Sequence, residues 1–172
     1  MSRKGKVEDI LEIIRLNETH GDAVAPLIAA FRVALRSYKG IESEPDTEAG
    51  KEEFLDFLNS GYAVFAAMEN GQMVGHIVCR IEEPTLWVEQ IYVCDSNRRQ
   101  GIASMLFEKA EELAASMGED TVFNYVHPNN EGMISFLRSK GYTVLNMIEI
   151  RKPYRGEKLT TTVNVDKNTF DY

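Results

Sequence analysis

The chain has 172 residues, of which 44% are hydrophobic, and a formal net charge of −8 at pH 7. This length and apolar content predict one domain, residues 1–172, with a single hydrophobic core. The acidic balance argues against nucleic acid as the main partner, and no apolar run approaches the about 18 residues that a membrane span needs. The charged segment 1–10 is not followed by the apolar core of a signal peptide, so we expect a soluble, cytoplasmic protein without a membrane partner.

The spacing of apolar residues predicts a series of helices and strands before residue 94. Asn70-Gly71 lies between two alternating apolar runs, which is the strongest short-range signal of a β-hairpin. Gly40 and Gly61 end the two helical patterns. The predicted elements are, in chain order, a strand over 10–16, helices over 22–38 and 48–58, and strands over 62–68, 73–81 and 85–93.

The stretch 93–104, VCDSNRRQGIAS, joins a strand end through a basic, glycine-containing loop to a helix predicted over 103–117. Free backbone N–H groups and the dipole at a helix N-terminus favour an anion such as a pyrophosphate. Gly101 and Ala103 leave room for phosphate oxygens to approach the main chain, and the rim offers charge or donors from Arg98, Arg99 and Gln100. A helix cap with exposed arginines explains the same pattern, so both interpretations stay open.

Two segments resemble a known family. The loop lacks GxxxxGK[ST] and GxGxxG, which argues against a P-loop ATPase or a Rossmann dehydrogenase. Its Arg-x-x-Gly-x-Ala pattern after Ile91-Tyr92-Val93 resembles the [RQ]-x-x-G-x-[GA] signature of the GNAT acyltransferase superfamily. A second segment, from Asn130 to Gly141-Tyr142, is similar to the family's N-x-x-A-x-x-x-Y-x-x-x-G-[FY] motif in its asparagine, its final Gly-Tyr and its length. The resemblance covers residues 10–151.

The resemblance implies an α/β fold: a GNAT-like mixed, splayed β-sheet of about seven strands flanked by about four helices. The implied order is β-α-α-β-β-β-α-β-α-β-β, with the sheet open between the fourth and fifth strands. The sequence then predicts a fifth strand over 121–126, a fourth helix over 131–139 and a sixth strand over 142–151. Residues 158–172 predict a C-terminal strand or hairpin that would supply the seventh strand, beside strand five or six.

The resemblance also implies a function, N-acetyltransfer from acetyl-CoA (coenzyme A) to a primary amine of a small molecule or peptide, by direct attack on the thioester. Main-chain groups of strand four would align the pantetheine arm, loop N–H groups would hold the pyrophosphate, and an asparagine would contact the arm. The implied cofactor-binding residues are Ile91, Tyr92, Val93, Arg98, Arg99, Gln100, Gly101, Ile102, Ala103, Ser104 and Asn130.

Glu89 is the candidate general base, because a glutamate inside a strand is disfavoured unless something needs it. A solvated strand residue is the alternative, and His127 could relay the proton through water instead. Where many relatives carry a tyrosine that protonates the leaving thiolate, this chain has Leu137. Tyr125, Tyr142 or water would have to serve, or the acid is dispensable. A non-catalytic acyl-CoA sensor and a small interaction module therefore stay open as alternatives.

Cys79 and Cys94 both lie in or at predicted strands, where a buried inert thiol is the usual outcome, and no metal site is expected. An acyl-cysteine intermediate at Cys94 is the less favoured alternative. Acceptor selectivity is expected in residues 36–57 and 151–158. The acidic residues of the first of these segments could face a cationic amine or form a solvated surface. A homodimer is also left open.

Overall fold

The computed structural model describes residues 11–172. The start of the predicted first strand at Ile10 and the segment 1–10, which bears on the signal-peptide argument, lie outside the described residues. The chain divides into a unit that ends at Ile134 and a unit over Ser135–Tyr172. We describe each by itself, and the expectation of a single domain stays a prediction.

The first unit contains most of the regular structure, and its boundaries lie within about one residue of those predicted, except at the fifth strand, which is shorter by about two residues at each end. α4 (Glu131–Ser139) crosses the boundary between the units. The elements of the first unit are β1 (Leu11–Arg15), α1 (Gly21–Ser37), α2 (Thr47–Asn59), β2 (Ala63–Glu69), β3 (Gln72–Glu82), β4 (Thr85–Val93), α3 (Ile102–Ser116) and β5 (Phe123–Asn124).

The sheet of the first unit has the strand order β1-β2-β3-β4-β5. Neighbouring strands are antiparallel from β1 to β4, whereas β4 and β5 are parallel. The hairpin between β2 and β3 turns at Asn70 and Gly71, which have φ of 51° and 79°, as the predicted Asn-Gly turn requires. The mixed α/β fold class and this hairpin are confirmed.

The parallel pairing of β4 and β5 is short and ends early. It consists of Trp87 opposite Phe123 and Val88 opposite Asn124, although β4 continues to Val93. The predicted fifth strand over 121–126 is therefore wrong in length, because the sheet opens at this point and the residues after Asn124 have no ladder to join.

Helices cover both faces of the sheet. α1 and α2 pack tightly against each other, since a Cβ on Gly50 would meet the Ala25 carbonyl oxygen at 2.5 Å and only glycine allows this approach. Val24, Ile28 and Phe54 from this pair join a buried cluster with β-strand residues. α3 lies against the other face, where Leu106 approaches Gly75 of β3. A packed core thus fixes β3 and β4 from both sides.

The second unit differs from the prediction. Residues 142–151, the predicted sixth strand, contain no strand, and their apolar side chains are exposed, including Val144 at 86%. A strand needs a partner for its hydrogen bonds. In the described part of this unit the only strands are β6 (Thr162–Val165) and β7 (Asn168–Asp171), which pair with each other.

The C-terminal hairpin predicted over 158–172 is confirmed as β6 and β7. Asp166, with φ of 52°, forms its turn. The hairpin makes a two-stranded sheet of its own, so the expectation that it adds a strand beside strand five or six is wrong for this structure. In residues 11–172 no helix has the length and apolar character to cross a bilayer.

Candidate active site

A β-bulge in β4 lies where the sheet opens. The register with β3 steps from Val78 opposite Gln90 to Cys79 opposite Val88, which leaves Glu89 as the additional residue of β4. Glu89 and Gln90 both bind partners on the α1/α2 face of the sheet. The edge of β4 from Glu89 to Val93 has no strand partner on the β5 side among the described residues.

The loop over residues 98–104, called the cradle below, presents backbone donors. Arg99 and Gly101 have φ of 64° and 83°, so the chain turns sharply before α3. The first hydrogen bond of the helix runs from Met105 N to Gly101 O at 3.1 Å, and no side chain caps the helix start. Within residues 11–172 the N–H groups of residues 99–104 have no acceptor. Such a cluster of donors at a helix N-terminus binds anions.

The Arg98 side chain binds neighbouring residues at the start of the cradle. Its Nε donates to the Val93 carbonyl oxygen at 3.1 Å, and its Nη2 pairs with Asp95 at 2.7 Å. The guanidinium also lies 5.7 Å from the centre of the Tyr92 ring. Gln100 donates to the Ser96 carbonyl oxygen at 3.4 Å. The role predicted for these side chains at the rim stays a prediction, but Arg98 and Gln100 also hold the loop in shape.

Four polar side chains form a continuous hydrogen-bonded chain behind the bulge. His76 Nε2 lies 3.0 Å from Gln90 Oε1, and Gln90 Nε2 donates to Glu53 Oε1 at 2.8 Å. Glu53 is paired with Arg32, whose Nε donates to Oε2 at 2.8 Å and whose Nη2 donates to Oε1. These hydrogen bonds connect β3, β4, α2 and α1.

His76 is neutral within this hydrogen-bonded group of side chains. It is fully buried in the sheet, and burial lowers its pKa to about 4. Because Gln90 uses its amide nitrogen toward Glu53, its oxygen accepts from His76, and the proton therefore sits on Nε2. Nδ1 has no hydrogen-bond partner in the part of the chain that the structure describes. An unpaired acceptor there would become a buried charge on protonation.

Glu89 is ion-paired on the same face. Its Oε1 accepts from Arg80 Nε at 2.5 Å, and Arg80 also pairs with Glu82. The Glu89 side chain retains 28% exposure, and its Oε2 accepts no hydrogen bond from residues 11–172. Burial lowers the pKa of Arg32, whereas the charge of Glu89 raises it, so Glu89 also faces α1. The term bulge network is used below for Arg32, Glu53, His76, Arg80, Glu89 and Gln90.

Aromatic rings line the opening beside the bulge network. Trp87 of β4 stacks on Phe123 and Tyr125, with ring centres 4.8 and 4.7 Å apart. Arg80 lies over the Trp87 ring at 5.3 Å. Tyr125 follows the last paired residue of β5 and is 60% exposed.

Other predicted residues have local roles. His127 Nδ1 accepts from Asn129 N at 3.2 Å, and the ring stacks on Tyr38. Burial, followed by Lys39, lowers the pKa of His127. Asn130 Oδ1 accepts from Met133 N at 3.0 Å and so caps α4. Leu137 is buried and offers no proton.

Both thiols are held in their protonated form. Burial raises the pKa of Cys79 to about 12. Burial, followed by the charge of Asp95, raises the pKa of Cys94, which disfavours an acyl-cysteine intermediate. No cluster of metal-binding side chains occurs among residues 11–172.

Sequence reasoning missed most of the bulge network. Arg32 and Glu53 lie on helices with no local signal that distinguishes them from solvated residues. His76 offered one signal, because it is a polar residue within an apolar run of β3, whereas Gln90 lies beside Glu89 and does not stand out in the sequence. The pairing of these residues depends on contacts between distant parts of the chain.

The first unit thus combines an α/β sheet that opens beside the bulged strand β4 with a cradle of backbone donors. Residues 28–142 match the model of the Acetyltransferase (GNAT) family. The chain belongs to this family.

The chain is also similar in sequence to a curated protein. The chain is 29% identical over 101 residues to "Probable N-acetyltransferase san" of Drosophila melanogaster, a match that covers 56% of this chain and 55% of that protein. The chain thus spans about half the length of this curated relative. The activity of the whole protein is therefore a proposal.

Solved structures show the same fold. AAC(6')-Iy in complex with a bisubstrate analogue, CoA-S-monomethyl-acetylneamine, superposes with a TM-score of 0.67 at 18% identity, over 85% of this chain and 99% of that chain. A ribosomal-protein-alanine N-acetyltransferase from Brucella melitensis gives a TM-score of 0.65 at 18% identity, over 82% and 99%.

Proposed function

We propose that this protein transfers an acetyl group from acetyl-CoA to a primary amine of a small molecule or peptide. The proposal rests on the N–H groups of residues 99–104, which have no acceptor among residues 11–172 and lie next to the open edge of β4. The donors match a pyrophosphate, and the open edge offers strand-like hydrogen bonds to a pantetheine arm. The family membership and the CoA complexes of structural neighbours support this assignment.

In this proposal the main chain of Ile91, Tyr92 and Val93 holds the arm, and residues 98–104 hold the pyrophosphate. Asn130 keeps its amide nitrogen for the arm, since its oxygen caps α4. Bound in this way, acetyl-CoA supplies a thioester carbonyl close to the bulge. Nothing in the bound group requires a metal ion.

Glu89 is the proposed base. The amine nitrogen forms a bond to the thioester carbon, the C–S bond breaks, and the amine proton passes to Glu89 directly or through water. Oε2 of Glu89 is the oxygen available for this proton, because Oε1 is held by Arg80. Leu137 cannot protonate the thiolate. A thiol with a pKa of about 8.5 gives a thiolate that can leave without protonation near neutral pH.

We propose a cytoplasmic protein whose partners are acetyl-CoA and an amine, with no nucleic acid or membrane partner. Tyr125 is the exposed hydroxyl group next to the bulge and is the proposed alternative to water as proton donor. The homodimer also stays a proposal.

Two measurements test the function. Calorimetry with acetyl-CoA measures binding, and mass spectrometry after incubation with primary amines measures transfer. Binding together with an acetylated amine is the expected result. Saturable binding without any product would identify an acyl-CoA sensor, and absence of binding would identify an interaction module whose basic loop merely caps α3.

A further inference from the structure

The charged groups beside the proposed base are already balanced. Every carboxylate of the bulge network is paired with an arginine: Glu53 with Arg32, and Glu89 with Arg80. Arg80 also binds Glu82, and the charge of Arg36 acts on Arg32. A ligand with several ammonium groups needs carboxylates that are not committed to arginines. This face offers one such oxygen in a partly buried position, Oε2 of Glu89.

The same opening presents an aromatic surface. Trp87 is covered by Arg80, Phe123 and Tyr125, so it presents little free ring surface of its own. Tyr125 is the outermost ring of this stack, and 60% of the residue is exposed. Aromatic rings favour offset stacking on one another beyond the burial of their area.

The end of the parallel ladder places these two features side by side. Val88 and Asn124 form the last pair, so Glu89 and Tyr125 are the next residues on the two strands that separate. The proton acceptor and the exposed ring therefore flank the same opening. An amine that reaches Glu89 therefore enters an opening that Tyr125 also lines.

We propose that the acceptor is a primary amine that carries a single positive charge next to an aromatic ring. Its ring stacks on Tyr125 and its amine reaches Glu89 Oε2. The inference rests on the proposed function and names the substrate class of that site. Free arylalkylamines and peptides with an aromatic first residue share this chemistry, and the tests below separate them.

The first test compares acceptors at saturating acetyl-CoA. The probes are 2-phenylethylamine, butylamine, the polycation neamine, and a short peptide that begins with phenylalanine. We expect kcat/KM for one of the two aromatic acceptors to exceed that for neamine by at least about tenfold. The better of the two identifies the source of the amine. Equal or better turnover of neamine overturns the inference.

The second test uses variants of Tyr125. In Tyr125→Ala we expect the ratio of kcat/KM for 2-phenylethylamine to that for butylamine to fall about tenfold, mainly through KM. The change in this ratio is informative because differences in amine basicity cancel. Tyr125→Phe keeps the ring and should keep the ratio, even if loss of the hydroxyl lowers kcat for both amines. An unchanged ratio in Tyr125→Ala contradicts the proposal.

A binding measurement separates failure of the inference from failure of the proposed function. Trp87 is the chain's only tryptophan, and it stacks on Tyr125. With CoA in place of acetyl-CoA, 2-(4-nitrophenyl)ethylamine should quench its fluorescence saturably, and Tyr125→Ala should abolish the quenching. Quenching without transfer would support the aromatic site and refute acetyl transfer. Transfer without quenching or aromatic preference would support acetyl transfer and refute the aromatic site.

Discussion

The cradle and the bulge network satisfy their polar groups in opposite ways. In the part of the chain that the structure describes, the backbone donors of residues 99–104 have no acceptors, and Arg99 and Gly101 lie at positive φ. In the bulge network nearly every polar atom already has a partner, and Arg32 and Arg80 occupy the carboxylates. The first region keeps its donors available for the anion that we propose, whereas the second is organised before any ligand arrives.

This difference separates binding from chemistry. The cradle is largely exposed, and an anion would add charge-assisted hydrogen bonds to its donors, so changes in the cradle should alter affinity. A preorganised network fixes side chains near their working geometry, so changes there should alter turnover or stability. The predictions below test this division, from the largest expected effect to the smallest.

Glu89→Gln should lower kcat by about 10²- to 10⁴-fold, because the amide cannot accept the proton of the attacking amine. Acetyl-CoA affinity, measured by calorimetry, should remain close to that of the parent. Glu82→Gln is the matched control, since Glu82 also pairs with Arg80 but lies farther out, at 56% exposure. A loss of only twofold in Glu89→Gln would mean that water or His127 takes the proton.

Gly101→Val should weaken CoA binding by at least about a hundredfold, because the side chain excludes phosphate from several charge-assisted hydrogen bonds. Gly118→Val is its control. Both glycines have a positive φ, 83° and 85°, that would strain any other residue, and in both a Cβ would meet nothing within 4 Å. The two variants should lose similar thermal stability, and only Gly101→Val should lose CoA in a calorimetric titration. Normal binding by Gly101→Val would show that the cradle does not hold the pyrophosphate.

The two regions also differ in how far sequence could predict them. The cradle is contiguous, so its glycine, its arginines and the helix that follows are visible as one pattern. The bulge network joins residues that are 14 positions apart at His76 and Gln90, and 37 apart at Gln90 and Glu53. Such pairings depend on how α1 and α2 pack on the sheet, which local periodicity does not encode.

The strands show the same limit. β4 and the Asn-Gly hairpin were predicted because alternation and turn chemistry are local. The length of β5 could not be predicted in this way, since it depends on where β4 and β5 separate. The apolar pattern of residues 142–151 predicts a strand, but it carries no information on whether a partner strand is available.

His76→Gln should remove a pH dependence of stability. In the parent the folded-state pKa is about 4 and the unfolded value is about 6.5, so the unfolded chain binds more protons between these pH values. The contribution of this group is fully present above pH 6.5 and declines by about 3 kcal/mol as the pH falls to 4. Denaturant unfolding across this window should show the decline in the parent and a flatter profile in His76→Gln. An equally steep profile would mean that His76 titrates normally.

Arg98→Ala and Arg99→Ala should have the smallest effects and should differ from each other. Arg98 braces the loop through Asp95 and the Val93 carbonyl, whereas no ion pair or hydrogen bond to the Arg99 side chain occurs within residues 11–172. Loss of Arg98 should therefore disorder the cradle and raise the Kd for CoA about tenfold, at low and high salt alike. Loss of Arg99 removes an exposed charge, so its effect should be about threefold and should vanish at high salt, where surface charges are screened. Calorimetry with CoA at two salt concentrations makes the comparison. If both effects vanish at high salt, Arg98 acts only as a rim charge and the brace contributes nothing to binding.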